Sequence, residues 1–174
     1  MNEFIETLKN RRSVRKYQAD KSVPQELVDQ IIEAGLYAAS GMNRQPTIIV
    51  EVTDKEVRDQ LSDLNRRIGG WKEGFDPFYG APMMLIVFAE KENSNHVYDG
   101  SLVMGNLMVA AHALGLGSCW INRAKEESEC EEGRAIFRKL GVPDNYEGIG
   151  HCILGYAAET PQAHPIREGR VIKH

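Results

Sequence analysis

The chain has 174 residues and a mass of 19.5 kDa, the length of one domain with no room for separate cofactor and substrate domains. Its 42% hydrophobic and 26% charged residues are an ordinary globular balance. The net charge of -4 argues against a general nucleic-acid binder, and no apolar run approaches the ~18 residues that span a membrane.

The first residues, MNEFIETLKN, lack a basic start followed by an apolar stretch, so they do not read as a secretory signal. Cys119, Cys130 and Cys152 have no metal-ligand spacing. Three scattered cysteines suit a reducing compartment, so the expected location is cytoplasmic. The mild average charge hides an asymmetry. Residues 9–16 carry Lys9, Arg11, Arg12, Arg15 and Lys16 with no acid, and the last eleven residues add Arg167, Arg170 and Lys173 against Glu168. Such ends suit an anion. The acidic run Glu126 to Glu132 reads as a solvated helix start or loop.

In chain order, residues 2–10 predict a short helix capped by Asn2, with Phe4, Ile5 and Leu8 on one face. Ser13 to Ala19 reads as extended or turning. Pro24 opens a second helix whose stripe of Leu27, Val28, Ile31 and Ile32 runs to about Ala39. The polar turn Ser40 to Pro46 precedes a β-branched strand at 47–53. A helix is expected at 55–66. The aromatic, glycine-rich stretch 68–82 reads as a long loop, a common place for function. MMLIVFA at 83–89 predicts a strand buried on both faces. Residues 98–114 predict a helix apolar all round, with Gly105, Ala110, Ala111 and Ala113 as sites of close approach. A strand at 119–121, a helix at 131–140 ended by Gly141 and a strand at 149–157 follow. The tail from Thr160 should run extended over a surface. The irregular alternation predicts an α+β fold with a four- or five-stranded mixed sheet flanked by helices, with residues 1–174 as one domain.

Several chemistries fail on sequence. Gly115-Leu116-Gly117-Ser118-Cys119-Trp120 lacks the third glycine of a dinucleotide fingerprint and follows a helix rather than a strand. There is no phosphate-loop or HExxH motif, and the five histidines share no ligand spacing. His112 on an apolar helix reads as an interior or interface residue. Cys119 has no sequence-local base and reads as buried filler. The positive signal is Arg11-Arg12-Ser13-Val14-Arg15. If the segment is extended, residues 11, 13 and 15 point one way and present two guanidinium forks around a hydroxyl. A row about 13 Å long could follow a phosphorylated chain ligand. The same residues would also serve as a solvated basic turn. Ser40, Gly41 and Asn43 offer donors to a polar heterocycle, or make an ordinary turn.

These two features, in this order, resemble the nitroreductase family of FMN-dependent oxidoreductases. VPQELVDQIIEAGLYAASGMNRQP, GAPMMLIVFA, GNLMVAAHALGLGSCWI and the tail HPIREGRVIKH resemble further family segments from about residue 4 to the end. The resemblance implies a nitroreductase-like fold and a homodimer with two FMN sites at its interface, the C-terminal arm reaching the partner. It places Arg11, Arg12 and Ser13 at the phosphate and ribityl chain. Arg15 falls near the pyrimidine edge, where a cation stabilises the reduced flavin electrostatically. Ser40, Gly41 and Asn43 match a segment supplied by the partner subunit. Asn122 and Arg123 fall beside flavin N5, Asn65 among the polar flavin contacts, and Arg167 or Arg170 at the phosphate. Arg66 matches such a contact as loosely as Asn65.

The implied reaction is ping-pong. NAD(P)H delivers hydride to N5, and a nitroaromatic, quinone or similar acceptor then takes two electrons, with no catalytic side chain required. Other flavin chemistry, such as dehalogenation or dehydrogenation, and a non-catalytic FMN-binding protein are the alternatives. A small anion- or RNA-binding module using residues 9–16 fits poorly with the acidic balance. Many family members have Pro at position 39, Ser at 41, and Gly at 122 or 123; this chain has Ala39, Gly41, Asn122 and Arg123. Trp71, Phe75, Phe78 and Tyr79 are candidate pocket walls.

Overall fold

A computed structural model describes residues 2–163 and 165–174. The tail residue His164 lies outside the described residues. Helix α1 spans Glu3–Asn10, and the Asn2 side chain accepts from Phe4 and Ile5 N–H, as a capping asparagine should. Helix α2 spans Gln25–Leu36 and buries Val28, Ile31 and Gly35. It ends three residues earlier than its apolar pattern suggests, because Ala38 N–H turns back to the Gly35 carbonyl at 3.0 Å. Strand β1 (Thr47–Val52), helix α3 (Lys55–Ile68), strand β2 (Met83–Glu90) and helix α4 (His96–Ala113) follow. Then come strand β3 (Gly117–Ile121), helices α5 (Ala124–Glu129) and α6 (Glu131–Lys139), and strand β4 (Tyr146–Gly155).

The four strands form one sheet in the order β1-β2-β4-β3. Every paired neighbour is antiparallel, so the expected mixed sheet is corrected. β2 and β3 do run the same way, joined by the α4 crossover, but β4 inserts between them and pairs antiparallel with both. The isolated bridge between Ser13 and Ser118 is parallel.

β2 is buried on both faces, as its unbroken apolar run requires. Met84, Ile86 and Phe88 face a core with Leu61 and Leu64 of α3 and Ile136 and Phe137 of α6. Met83, Leu85 and Val87 face a second core with Val28 and Ile31 of α2 and Met104 and Leu107 of α4. The sheet is thus a middle layer between two helical layers. A bulge skips Ile149, since Val87 pairs with Gly150 and Phe88 with Gly148. It puts those glycines on opposite faces. A Cβ on Gly148 would lie 2.2 Å from the Ala124 carbonyl oxygen, and one on Gly150 would lie 2.4 Å from the Trp120 indole nitrogen. The absent side chain at 148 is what lets α5 lie on the sheet.

The described tail residues 165–174 are all exposed. Thr160 and Pro161, where the tail begins, line a groove beside Arg12 and His112.

Candidate functional site

The basic segment is a strap across the end of the sheet. Val14 N–H donates to the Ser118 carbonyl at 3.0 Å, Gln18 N–H to the Tyr156 carbonyl at 2.9 Å, and Ala158 N–H to the Lys16 carbonyl at 2.9 Å. Tyr17 bridges Ala157, and its hydroxyl donates to the Val14 carbonyl at 2.7 Å. Gly117 makes the close approach possible, because a Cβ there would sit 2.9 Å from the Val14 side chain. The buried Val14 points into the fold while Arg11, Arg12 and Ser13 are half-buried and Arg15 is exposed. Arg12 Nη1 bonds the Lys9 and Arg11 carbonyls at 2.6 and 2.8 Å, so this cation is turned toward the end of α1. Arg11 Nη1 is buried and has no hydrogen-bond partner among the described residues. The positive charges of Arg11 and Arg12 reach His112: burial lowers its imidazole pKa, and the two guanidinium groups lower it further. Glu159 accepts from Arg15 N–H at 2.6 Å. A groove of about 290 Å³ runs beside the strap, lined by Asn10, Arg12, His112, Gly117 and Glu159 among others.

Cys119 lies under this strap. Burial pushes its thiol up, and Arg15, Ser13 and Arg11 offset part of the rise. Its Sγ is 3.6 Å from the Trp120 carbonyl. A buried thiol pushed upward is a packing group rather than a nucleophile. Cys152, on the other face of the sheet, is raised by burial to about 12.

The turn Ser40 to Gln45 is built by local hydrogen bonds and one long-range anchor. Ser40 Oγ accepts from Gln45 N–H at 3.0 Å, and Asn43 Oδ1 accepts from Gln45 Nε2 at 2.9 Å. Met42, Asn43 and Gln45 all have positive φ. Asp99 of α4 is 4% exposed and accepts from Gly41 N–H at 3.0 Å, which pins the turn. Asp99 is near the start of α4 and His112 near its end. At the helical rise of about 1.5 Å per residue they are roughly 20 Å apart. The Ser40 turn and the Arg11 strap therefore flank opposite ends of α4 within one chain.

Asn122 and Arg123 connect β3 to α5. Asn65, at the end of α3, is fully buried. Its Nδ2 donates to the Asn122 carbonyl at 2.9 Å. Arg123 has φ 84, a left-handed conformation uncommon outside glycine. Its guanidinium stacks on Trp71 at 4.3 Å. Trp71, Phe75 and Tyr79 form a chain of tilted and edge-on rings with centroids 5.1 and 5.9 Å apart. Phe78 is 0% exposed and belongs to the core, which removes it as a pocket wall. It turns inward because Asp76 closes the loop over it: Oδ1 accepts from Phe78 N–H at 2.8 Å and Oδ2 from Gly80 N–H at 2.7 Å. Arg66 Nη1 approaches the Trp71 carbonyl at 3.3 Å and Arg66 Nη2 pairs with Asp63 at 2.6 Å. Arg167 and Arg170 are exposed on the tail.

The acidic run is not uniformly solvated. Glu127 is 0% exposed and sits beside His151, also 0% exposed. Asp99, Glu127, His151 and Asp76 carried no motif, and each gains its role from partners 58, 62, 24 or 14 residues away. A surface depression of about 810 Å³ lies between α3 and α6 and is lined by Lys55, Asp59, Asp63 and Glu132. Ion pairs fill much of its rim, and none of the predicted site residues line it.

With the fold and these sites in view, comparison with known proteins places the chain. The Nitroreductase family model matches residues 8–69 and 70–156. The chain belongs to the nitroreductase family. It is 30% identical to a nitroreductase with bound FMN from Bacteroides fragilis, covering all of both chains with a TM-score of 0.93. A Methanothermobacter thermautotrophicus protein, provisionally named NADH dehydrogenase/NAD(P)H nitroreductase, is 31% identical over 163 residues, 91% of this chain and 80% of the relative. An FMN reductase [NAD(P)H] of Bacillus subtilis is 26% identical over 196 residues, all of this chain and 74% of the relative.

Proposed function

We propose that this chain is an NAD(P)H-dependent FMN oxidoreductase, with residues 1–174 acting as one FMN-binding domain in a homodimer. The observation that carries the reading is Arg11. A buried guanidinium nitrogen with no acceptor among the described residues demands an explanation, and a phosphate oxygen would satisfy it bidentately with its neighbour. The surrounding donor set fits a flavin mononucleotide. Ser13 offers a hydroxyl to a polyol chain, Arg15 an exposed cation for the pyrimidine edge, and Arg167 or Arg170 a second charge for the phosphate. Bound FMN supplies the redox chemistry, accepting two electrons from NAD(P)H and passing them in a ping-pong cycle to a nitroaromatic, quinone or similar acceptor.

The protein's own work is to bind, orient and tune. Arg11 and Ser13 hold the phosphate end on a strap fixed to β3. Arg15 places positive charge where the reduced ring system carries negative charge. Asn122 and Arg123 present backbone at the opposite edge. Trp71, Phe75 and Tyr79 wall the space for donor and acceptor. Ser40, Gly41 and Asn43 come from the partner subunit, which accounts for their distance from Arg11 within one chain.

The apolar surface supports the dimer. Tyr98, Leu102 and Gly105 form a stripe on α4, with Tyr98 72% and Leu102 50% exposed. A Cβ on Gly105 would meet nothing within 4 Å. α1 also leaves Phe4, Ile5 and Leu8 exposed. Exposed apolar side chains on two helices suit an association site.

The visible spectrum of purified protein, reconstituted with FMN, tests the reading. Flavin absorption that co-purifies or returns on reconstitution, and bleaches under NADH or NADPH without oxygen, is the expected result. A chain that binds no FMN overturns it. Binding without bleaching identifies a non-catalytic flavin protein.

A further inference from the structure

Three side chains with no exposed surface meet between α3, α5 and β4. Asn65, Glu127 and His151 are each 0% exposed. Asn65 Nδ2 donates both to the Asn122 carbonyl and to Glu127 Oε1, at 2.9 and 2.5 Å. Glu127 Oε2 lies 2.9 Å from His151 Nε2. The two atoms are in contact at that distance without meeting hydrogen-bond geometry. The Phe78 ring closes the far side, 5.1 Å from the imidazole.

Burying these groups is costly unless they are well bonded, and apolar side chains of similar volume would fill such a space without that cost. Core stability therefore does not account for them. Among the described residues, their side chains bond main chain outside the cluster at the Asn122 carbonyl. The next residue, Arg123, holds a left-handed backbone, which a non-glycine residue keeps only when its surroundings enforce it. The enforcement is visible on both sides. Asn65 grips the carbonyl before it, and Glu127 N–H donates to the Arg123 carbonyl at 2.9 Å. Glu127 thus touches both anchors, one through its side chain and one through its backbone.

We propose that Asn65, Glu127 and His151 are positioning residues that lock the backbone of Asn122 and Arg123 in one conformation. Through it they set how that turn meets the flavin. The second half rests on the FMN reading above; the first half does not. His151 acts through Glu127, and Glu127 through Asn65, so the three behave as one unit.

The test uses the full chain, with and without FMN, carrying Asn65→Ser, Glu127→Gln or both. Asn65→Ser removes the donor to Asn122; Glu127→Gln keeps the shape and removes the charge. Amide exchange of Glu127 N–H reports the Arg123 anchor, and Leu85 and Ile86 N–H in β2 serve as reference. Each variant should speed exchange at Glu127 about tenfold in the FMN-free chain and leave the β2 amides unchanged. The double variant should add little to either single one, as expected for one unit. In the loaded protein the midpoint potential of bound FMN should shift. Unchanged exchange at Glu127, equal acceleration throughout, or additive effects would overturn the positioning role. Local acceleration with an unmoved potential would overturn its link to the flavin. If Asn65→Ser does not fold, Glu127→Gln alone decides the first half. A wild-type chain that binds no FMN defeats the functional reading, while the exchange result on that same chain still stands.

Discussion

Asp76 shows how much one carboxylate can organise. It accepts from Ser62 Oγ at 2.7 Å and from the N–H groups of Phe78 and Gly80, and it pairs with Arg58. Burial alone would raise its pKa, but these hydrogen bonds outweigh burial and hold it below the ordinary value of 3.8. A carboxyl lowered on folding contributes stability above its unfolded pKa and loses it as pH falls through the folded one. Asp76→Asn should therefore cost about 2 kcal/mol at pH 7. The gap between wild type and variant, measured by urea unfolding, should close as pH falls below about 4. At the strap, Arg11→Ala should weaken FMN binding roughly tenfold to a hundredfold, the value of a charge-assisted hydrogen bond. Titration of the FMN-free chain checks this, and an unchanged affinity would reject the phosphate role of Arg11. Neither the depressed carboxyl nor the orphaned guanidinium nitrogen is legible in sequence, since both depend on what surrounds them. The identity of Arg11 and Ser13 as candidates was legible, because their spacing on an extended segment already aligned them.

At the scale of elements, the bulge at Ile149 governs the site face. It directs Gly148 at α5 and leaves no room for a side chain. Gly148→Ala should lower stability by about 1–3 kcal/mol, because the new Cβ meets a backbone carbonyl that cannot yield without moving α5. A lowered urea midpoint with an unchanged slope is the expected signature. The element types followed from periodicity: β2 from its unbroken apolar run, α3 from its amphipathic stripe. Their pairing did not. β4 joins β2 and β3 from some 30 to 70 residues away, and nothing in its own eight apolar and glycine residues specifies insertion between them. The antiparallel sheet is a consequence of that insertion.

For the whole molecule, surface area is the informative quantity. A compact monomer of this mass should expose about 8,500 Å², whereas this chain exposes 10499 Å². The excess of about 2,000 Å² is more than the roughly 800 Å² that each partner buries in a standard interface. The exposed tail and the bare apolar side chains Phe4, Ile5 and Leu8 of α1 and Tyr98 and Leu102 of α4 contribute to it. Replacing Tyr98 and Leu102 with Asp and Glu should shift the protein from dimer toward monomer in sedimentation velocity and reduce FMN affinity in parallel. A monomeric wild type at micromolar concentration would contradict the paired reading. Gly105→Ala gives a complementary measurement. In an isolated chain it should add about 0.5–1 kcal/mol of helix stability; a loss instead points to a second chain packed there.

By itself the sequence determined the order and type of the elements, the basic ends and the family resemblance. These reside in local spacing, which each segment carries within itself. Only the tertiary structure decided that the sheet is antiparallel, that Phe78 and Glu127 are buried, and that Asn65 grips the Asn122 carbonyl. Those facts depend on contacts between residues distant in the chain, and burial is a property of what packs around a side chain. Length had suggested one domain; the fold spends its core on two layers around β2 and leaves Arg11, Ser13 and Arg15 at its margin.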